Sequence, residues 1–445
     1  MRVLLLAALA TTLLCGCAPS LVWRLPSPDH RTRVEIRERG GEQCVRVASR
    51  LDGCYPGVGS RELAFSPDSR HLAYPVERAG RWSVVRDGRP RREWDGVAGL
   101  VFSPESGRLA YAALDGAAWR VVLDETPGEP FDSLVAGSLA FDATGRRLVY
   151  AAARAGRVHA VIDGGTGPGY DAIGSPRFSP DGARCAYVAR RAGKEVLVAD
   201  DIEGAPGDAT PEFVFSSDAA RLACIVRNDA GWFVRENGSN AGPYHSARSL
   251  AYRPADDSLC YVARCAEGEA VFVGRERGMW CDSVQAPVFG RTTNRFGYIA
   301  RKSGRSLVVL DGTVVKTEPR ASDLVISPDG SRFAYIADRG GEVSVVDDRA
   351  ERVFDLLIDG SLVFLRDGGH WACLAGDRAR QRLFIVVEGI PGHRAFDWTE
   401  ITRFTRQAAL DRGAVVRGAG ILRAWIAAEA ELVLDGHGSR GSRGS

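Results

Sequence analysis

Side chains able to do chemistry are few in this chain and stand far apart. The seven histidines, His30, His71, His159, His245, His370, His393 and His437, fall in no relay or metal-ligand spacing. No Gly-x-Ser-x-Gly elbow presents a nucleophilic serine, no His-Glu-x-x-His awaits zinc, and no Gly-x-x-x-x-Gly-Lys cradles phosphate. After Cys17 the cysteines are Cys44, Cys54, Cys185, Cys224, Cys260, Cys265, Cys281 and Cys373, with no Cys-x-x-Cys pair to signal zinc or dithiol redox chemistry. Three residues are singled out. Cys17 is a thiol with a covalent role, and His245 and His370 are candidate binding residues because each interrupts a pattern that the rest of the chain keeps. No catalytic residue and no metal ligand is assigned, and no cofactor is called for.

That pattern is a 37-residue rhythm. An aromatic or apolar residue opens each unit at Phe65, Phe102, Phe141, Phe178, Phe215, Tyr252, Phe289, Ile326 and Phe364. A second series runs nine residues later, at Tyr74, Tyr111, Tyr150, Tyr187, Cys224, Tyr261, Tyr298, Tyr335 and Cys373. A fixed period of this size marks a stacked array, in which no repeat buries its apolar face alone. Within residues 99–136, four short apolar runs are bounded by Gly, Pro, Asp or Ser, the last being Pro-Phe-Asp-Ser-Leu-Val. Such runs are strands joined by tight turns.

Two recurrent marks accompany the strands. Asp-Gly turns are expected after the third strand at Asp52-Gly53, Asp87-Gly88, Asp163-Gly164 and Asp311-Gly312. An aromatic–Asp pair follows at Trp94-Asp95, Phe131-Asp132, Tyr170-Asp171, Phe354-Asp355 and Phe396-Asp397. These distributed aspartates are expected to bond backbone amides within their own unit rather than to gather round a cation. His245 replaces the aspartate after Tyr244, and His370-Trp371 lies in the decayed ninth unit.

The run Phe-Ser-Pro-Asp-Gly, best kept at Ser179-Pro180-Asp181-Gly182 and Ser327-Pro328-Asp329-Gly330, resembles the WD-repeat-like β-propeller repeat of the TolB family. The resemblance implies an all-β fold, a β-propeller of about ten four-stranded blades, counting a degenerate first unit near Ser27. Two smaller propellers of about five blades are the alternative. The propeller repeat is assigned to residues 23–436 and a flexible tail to 437–445, with irregularity expected after Phe404.

Residues 1–16 carry a short positive start and an apolar stretch of about twelve, too short for the roughly 20 residues of a membrane-spanning helix. Leu14-Cys15-Gly16-Cys17 resembles the bacterial lipobox. That implies cleavage before Cys17, lipidation of its thiol and a short tether over 17–22. Ala18 after the cysteine points to the outer membrane, facing the periplasm. An exported chain is permitted disulfides, and Cys44 with Cys54 and Cys265 with Cys281 are the local pairs able to close. Cys185, Cys224, Cys260 and Cys373 read instead as small buried hydrophobes. A formal net charge of +2 argues against nucleic acid as a partner.

Two functions follow as expectations. The first is a membrane-anchored cell-envelope platform that binds protein or glycan. The second is a propeller enzyme, a metal-dependent lactonase or a glycoside-processing protein, with its site at a central channel.

Overall fold

The computed structural model describes residues 20–29, 31–200, 202–204, 208–377, 382–388, 390–397 and 426. The leader, Cys17, the segment around Phe404 and the tail 437–445 lie outside the described residues.

Among the described residues, strands pair into ten antiparallel sheets, A to J, each following the chain order first, second, third, fourth. In five of them the first strand is broken into two short pieces. This is the all-β, multi-blade propeller architecture that the rhythm predicts. The chain divides into two compact units, Met1–Gly128 and Glu129–Ser445. The first holds sheets A (residues 20–55), B (57–94) and C (96–127). The second holds D (133–170), E (172–203), F (208–244), G (246–277), H (283–318), I (320–354) and J (356–397).

Second strands carry the Tyr series and are buried over most of their length, as at Leu72–Arg78 and Cys185–Arg191. Both faces of such a strand are covered, so it reads as an apolar run without alternation. Most cores form where one sheet meets the next within a unit, while one lies within sheet J and takes in Ile426. In the first unit Ala73, Val84 and Trp94 of sheet B pack with Phe102, Leu109 and Tyr111 of sheet C. In the second unit Ala151 and Tyr170 meet Tyr187 and Val198. Burying one such large side chain contributes about 1.5–3 kcal/mol. Fourth strands are mostly exposed edges, and Pro90, Pro127, Pro168 and Pro243 lie on them. Proline has no amide to offer an incoming strand, which blunts the edge.

In sheets B, C, D, F and H the third and fourth strands are joined by two-residue turns with both residues at positive φ, as at Asp87 (52°) and Gly88 (74°) or Asp163 (53°) and Gly164 (86°). These mirror-image turns match strand twist, which is why Asp, Asn and Gly recur there. Asp52-Gly53 departs from that expectation. It lies inside the strand Arg50–Tyr55, and the Asp52 carboxylate accepts the Tyr74 hydroxyl at 2.6 Å.

Two further expectations are corrected. The fourth run of residues 99–136 belongs to the following sheet, because Ser133–Leu134 pairs with Ala152 and Ala153 of sheet D. Sheet C ends at Thr126–Pro127. The aromatic–Asp corner is thus where the chain leaves one sheet and opens the next. The Cys265–Cys281 bridge is absent, and both residues are free thiols. Cys265 pairs with Gly268 while Cys281 bridges Glu269, so the third strand of sheet G stands between them. Two strand spacings, about 9–10 Å, exceed the reach of a disulfide. Cys44 and Cys54 face each other directly and are joined, with Cα atoms 4.0 Å apart.

Candidate functional site

The recurring charged residues form a lattice of clamps, most of them invisible to motif reading. The first clamp is local. In each Ser-x-Asp turn the serine hydroxyl donates to the aspartate, as Ser179 Oγ does to Asp181 Oδ1 at 2.5 Å. The same carboxylate accepts the Ala183 amide at 3.0 Å. These bonds favour the ionised form and hold the carboxyls of Asp68, Asp181 and Asp218 below their ordinary range, and that of Asp329 at about 2.

The second clamp is the aromatic–Asp aspartate. Asp95, Asp132, Asp171 and Asp282 accept the hairpin amides of Gly116, Ala155, Ala192 and Ser303, at 2.6–2.9 Å. Each amide belongs to the sheet that the aspartate opens, and so to the unit after the one in which the sequence reading placed that aspartate. The unforeseen part is the other oxygen, which takes Arg81 at Asp95 and Arg157 at Asp171 from the preceding sheet.

The third clamp joins neighbouring sheets through an arginine six residues after the opening aromatic. Arg147 donates to Asp163 at 2.9 Å within sheet D and to the Gly182 and Ala183 carbonyls of sheet E at 3.0 and 2.9 Å. Its guanidinium also lies 4.9 Å over the Phe178 ring. Arg184 repeats this with Asp200, the Ala219 carbonyl and Phe215. Arg295 reaches the Gly330 carbonyl at 3.1 Å, and Arg332 reaches that of Gly369. A planar guanidinium with five donors serves carboxylate, carbonyl and ring together, as an ammonium would not. The signal was present in the sequence as arginine at 108, 147, 184, 221, 295 and 332.

His370 occupies the arginine position of sheet J. Its Nδ1 meets Asp367 Oδ2 at 2.6 Å, within the turn that replaces Ser-Pro-Asp-Gly. His71 stands at the same position in sheet B and meets Asp87 at 2.8 Å. His245 keeps the backbone role of the aspartate it replaces, donating its amide to the Arg264 carbonyl at 2.8 Å, and its imidazole is exposed. The two histidines open sheet G and close a turn of sheet J respectively, and no contact brings them together. Among the described residues no group of three or more His, Cys, Asp or Glu converges as a metal site. Cys224, Cys260 and Cys373 are buried, and burial pushes the thiols of Cys224 and Cys260 up to about 11 and about 12. That makes them inert packing groups.

A pocket opens within the second unit, bordered by the first strands of sheets D, E and F. It has a volume of about 420 Å³. Phe141, Phe178, Phe213 and Phe215 supply its apolar wall, with Pro176 and Arg177 beside them. Asp142 also borders it, but its carboxylate is turned into its own loop. There it accepts the Arg147 amide at 2.8 Å and the Thr144 hydroxyl at 2.5 Å.

No protein-family model matches this chain, and no curated protein matches it. Among solved structures, it is similar to a "eukaryotic initiation factor" at 12% identity and TM-score 0.44, over 80% of this chain and 93% of that one. It is also similar to the hydrazine synthase of Kuenenia stuttgartiensis at 12% identity and TM-score 0.24, over 77% and 99%. At these scores neither likeness informs function.

Proposed function

We propose that the chain is a TolB-like, WD-repeat-like cell-envelope lipoprotein, anchored through Cys17 at the outer membrane and facing the periplasm, whose blades form a platform for binding protein or glycan. One observation carries the reading. The recurring aspartates and arginines are engaged with backbone amides, carbonyls and one another, as at Asp171 and Arg184, so the repeat itself is scaffold. Recognition then falls to exposed surfaces where the repeat is broken. The Leu14-Cys15-Gly16-Cys17 sequence supports the anchor.

The test is metabolic labelling with a fatty-acid analogue, combined with crosslinking and affinity capture from the native envelope. Wild type should take up the label and retain a defined set of partners. Cys17→Ser should lose both the label and the membrane-proximal partners. An unlabelled wild type, or a partner set indifferent to the loss of the anchor, would defeat this account.

A further inference from the structure

The pocket between sheets D, E and F coincides with two breaks in the repeat. The residue just before the opening aromatic is Ala64, Val101, Ala140, Val214, Ala251, Val288, Val325 or Val363 in eight repeats. In the ninth it is Arg177. Two residues before the opening aromatic stand Leu63, Leu100, Leu139, Leu250, Leu324 and Leu362, with proline at Pro176 and Pro287. Only sheet F places a phenylalanine there, Phe213. These two departures meet, since the Arg177 guanidinium lies 5.6 Å from the centroid of the Phe213 ring.

We infer that this pocket binds a carboxylate carried on an aromatic body, with Arg177 as the anion-binding residue and Phe213 as the ring over which its guanidinium sits. The inference deepens the binding-platform reading and rests on it.

The chemistry is specific. Arg147, Arg184 and Arg332 are fixed by carboxylates and carbonyls of the scaffold, whereas Arg177 has the Phe213 ring as its contact among the described residues. Contact with a ring occupies none of the N–H donors, and their planar fork matches a carboxylate with two parallel bonds. Phe141, Phe178 and Phe215 line the same space and give it an aromatic wall for an apolar body, although one face of Phe178 and one of Phe215 are taken by Arg147 and Arg184. A volume of about 420 Å³ accommodates one ring with a short acid arm rather than a long chain. The nearby acid, Asp142, has both oxygens occupied by its own loop. The source of the carboxylate is either a free aryl acid or a peptide chain end with a C-terminal aromatic residue.

The test is calorimetric titration of the full chain with 3-phenylpropionate, its neutral amide and N-acetylphenylalanine. At least one acid should bind, and 3-phenylpropionamide should bind at least tenfold more weakly. Arg177→Val, which installs the residue used by other repeats, should erase that preference. Phe213→Leu, also a residue of the repeat, should weaken acid binding several-fold. Arg177→Lys, which keeps charge but loses the fork, should fall between and guards against misfolding of the valine variant. Tighter binding of 3-phenylpropionate assigns a free acid, and tighter binding of N-acetylphenylalanine assigns a chain end. Failure of both acids to bind, equal binding of acid and amide, or a preference that survives Arg177→Val would overturn the proposal. An empty envelope capture beside intact acid binding would remove the platform and leave the pocket.

Discussion

Arg184 and Arg332 hold the same place in the repeat and have opposite surroundings. Arg184 is about one-third exposed and links Asp200 to the next sheet's carbonyl from the surface. Arg332 is buried between sheets I and J, with side-chain exposure of 4%. It meets Asp348 at 3.0 Å, Glu388 at 2.8 Å and Asp347 at 3.5 Å. Asp347 in turn accepts the indole N–H of buried Trp371 at 2.7 Å. The difference originates in sheet J, where His370 pairs with Asp367 and leaves Glu388 to the arginine of the neighbouring sheet. Three departures coincide there, His370 for arginine, Leu365-Arg366-Asp367-Gly368 for Ser-Pro-Asp-Gly and Glu388 for the turn aspartate, and together they go with a buried network in place of a surface staple. A buried ion pair is costly to desolvate, but costlier to break halfway.

That contrast orders the expected effects. Arg332→Ala leaves buried carboxylates without a counter-charge and should destabilise the second unit by about 3–5 kcal/mol. A shift in urea midpoint smaller than that of Arg184→Ala would invalidate the distinction. The network should also be acid-labile. Burial works against ionisation of Asp347, but the Trp371 indole, two backbone amides and Arg332 more than offset it and lower its pKa. A lowered folded-state pKa contributes stability above the ordinary carboxylate value of about 3.9, and loses it as pH falls through the folded value. Denaturant midpoints measured from pH 6 downward should therefore fall more steeply for wild type than for Asp347→Asn.

Asp171→Ala removes the acceptor of the Ala192 amide and the partner of Arg157, and should cost about 1 kcal/mol, read from thermal unfolding. Arg184→Ala should be the mildest, at about 0–1 kcal/mol, and should shrink further in high salt. A salt-insensitive loss would mean that packing on Phe215, rather than charge, carries that staple.

The rhythm made the sheet count legible, because strands two and three are buried on both faces and tolerate little besides apolar residues there. Tyr74, Tyr111 and Tyr335 were recognisable as core for that reason. Sheet boundaries were less legible. An apolar run such as Ser133–Leu134 looks alike whether it ends one sheet or opens the next, and only pairing with Ala152 decides. The arginine clamps escaped notice because no motif names them, although their spacing equals that of the aromatics. Arg177 escaped for the converse reason. It occurs once in the series, and a single departure at a position two residues from the turn carries no periodic signal. Chemistry at Cys17 rests on sequence alone, since the residue lies outside the described part.

The forward reach of the arginine clamps sets a rule for how such a chain can lengthen. Each guanidinium finds its carbonyl about one period ahead, as Arg147 does at Gly182 and Arg295 at Gly330. Copying one whole period, wherever the cut falls, recreates every donor with its acceptor. Copying a length that is not a whole number of periods strands a guanidinium against a turn that offers nothing. Growth by duplication is therefore quantised, and the grammar of the hydrogen bonds, more than the outline of a blade, fixes the size of the quantum.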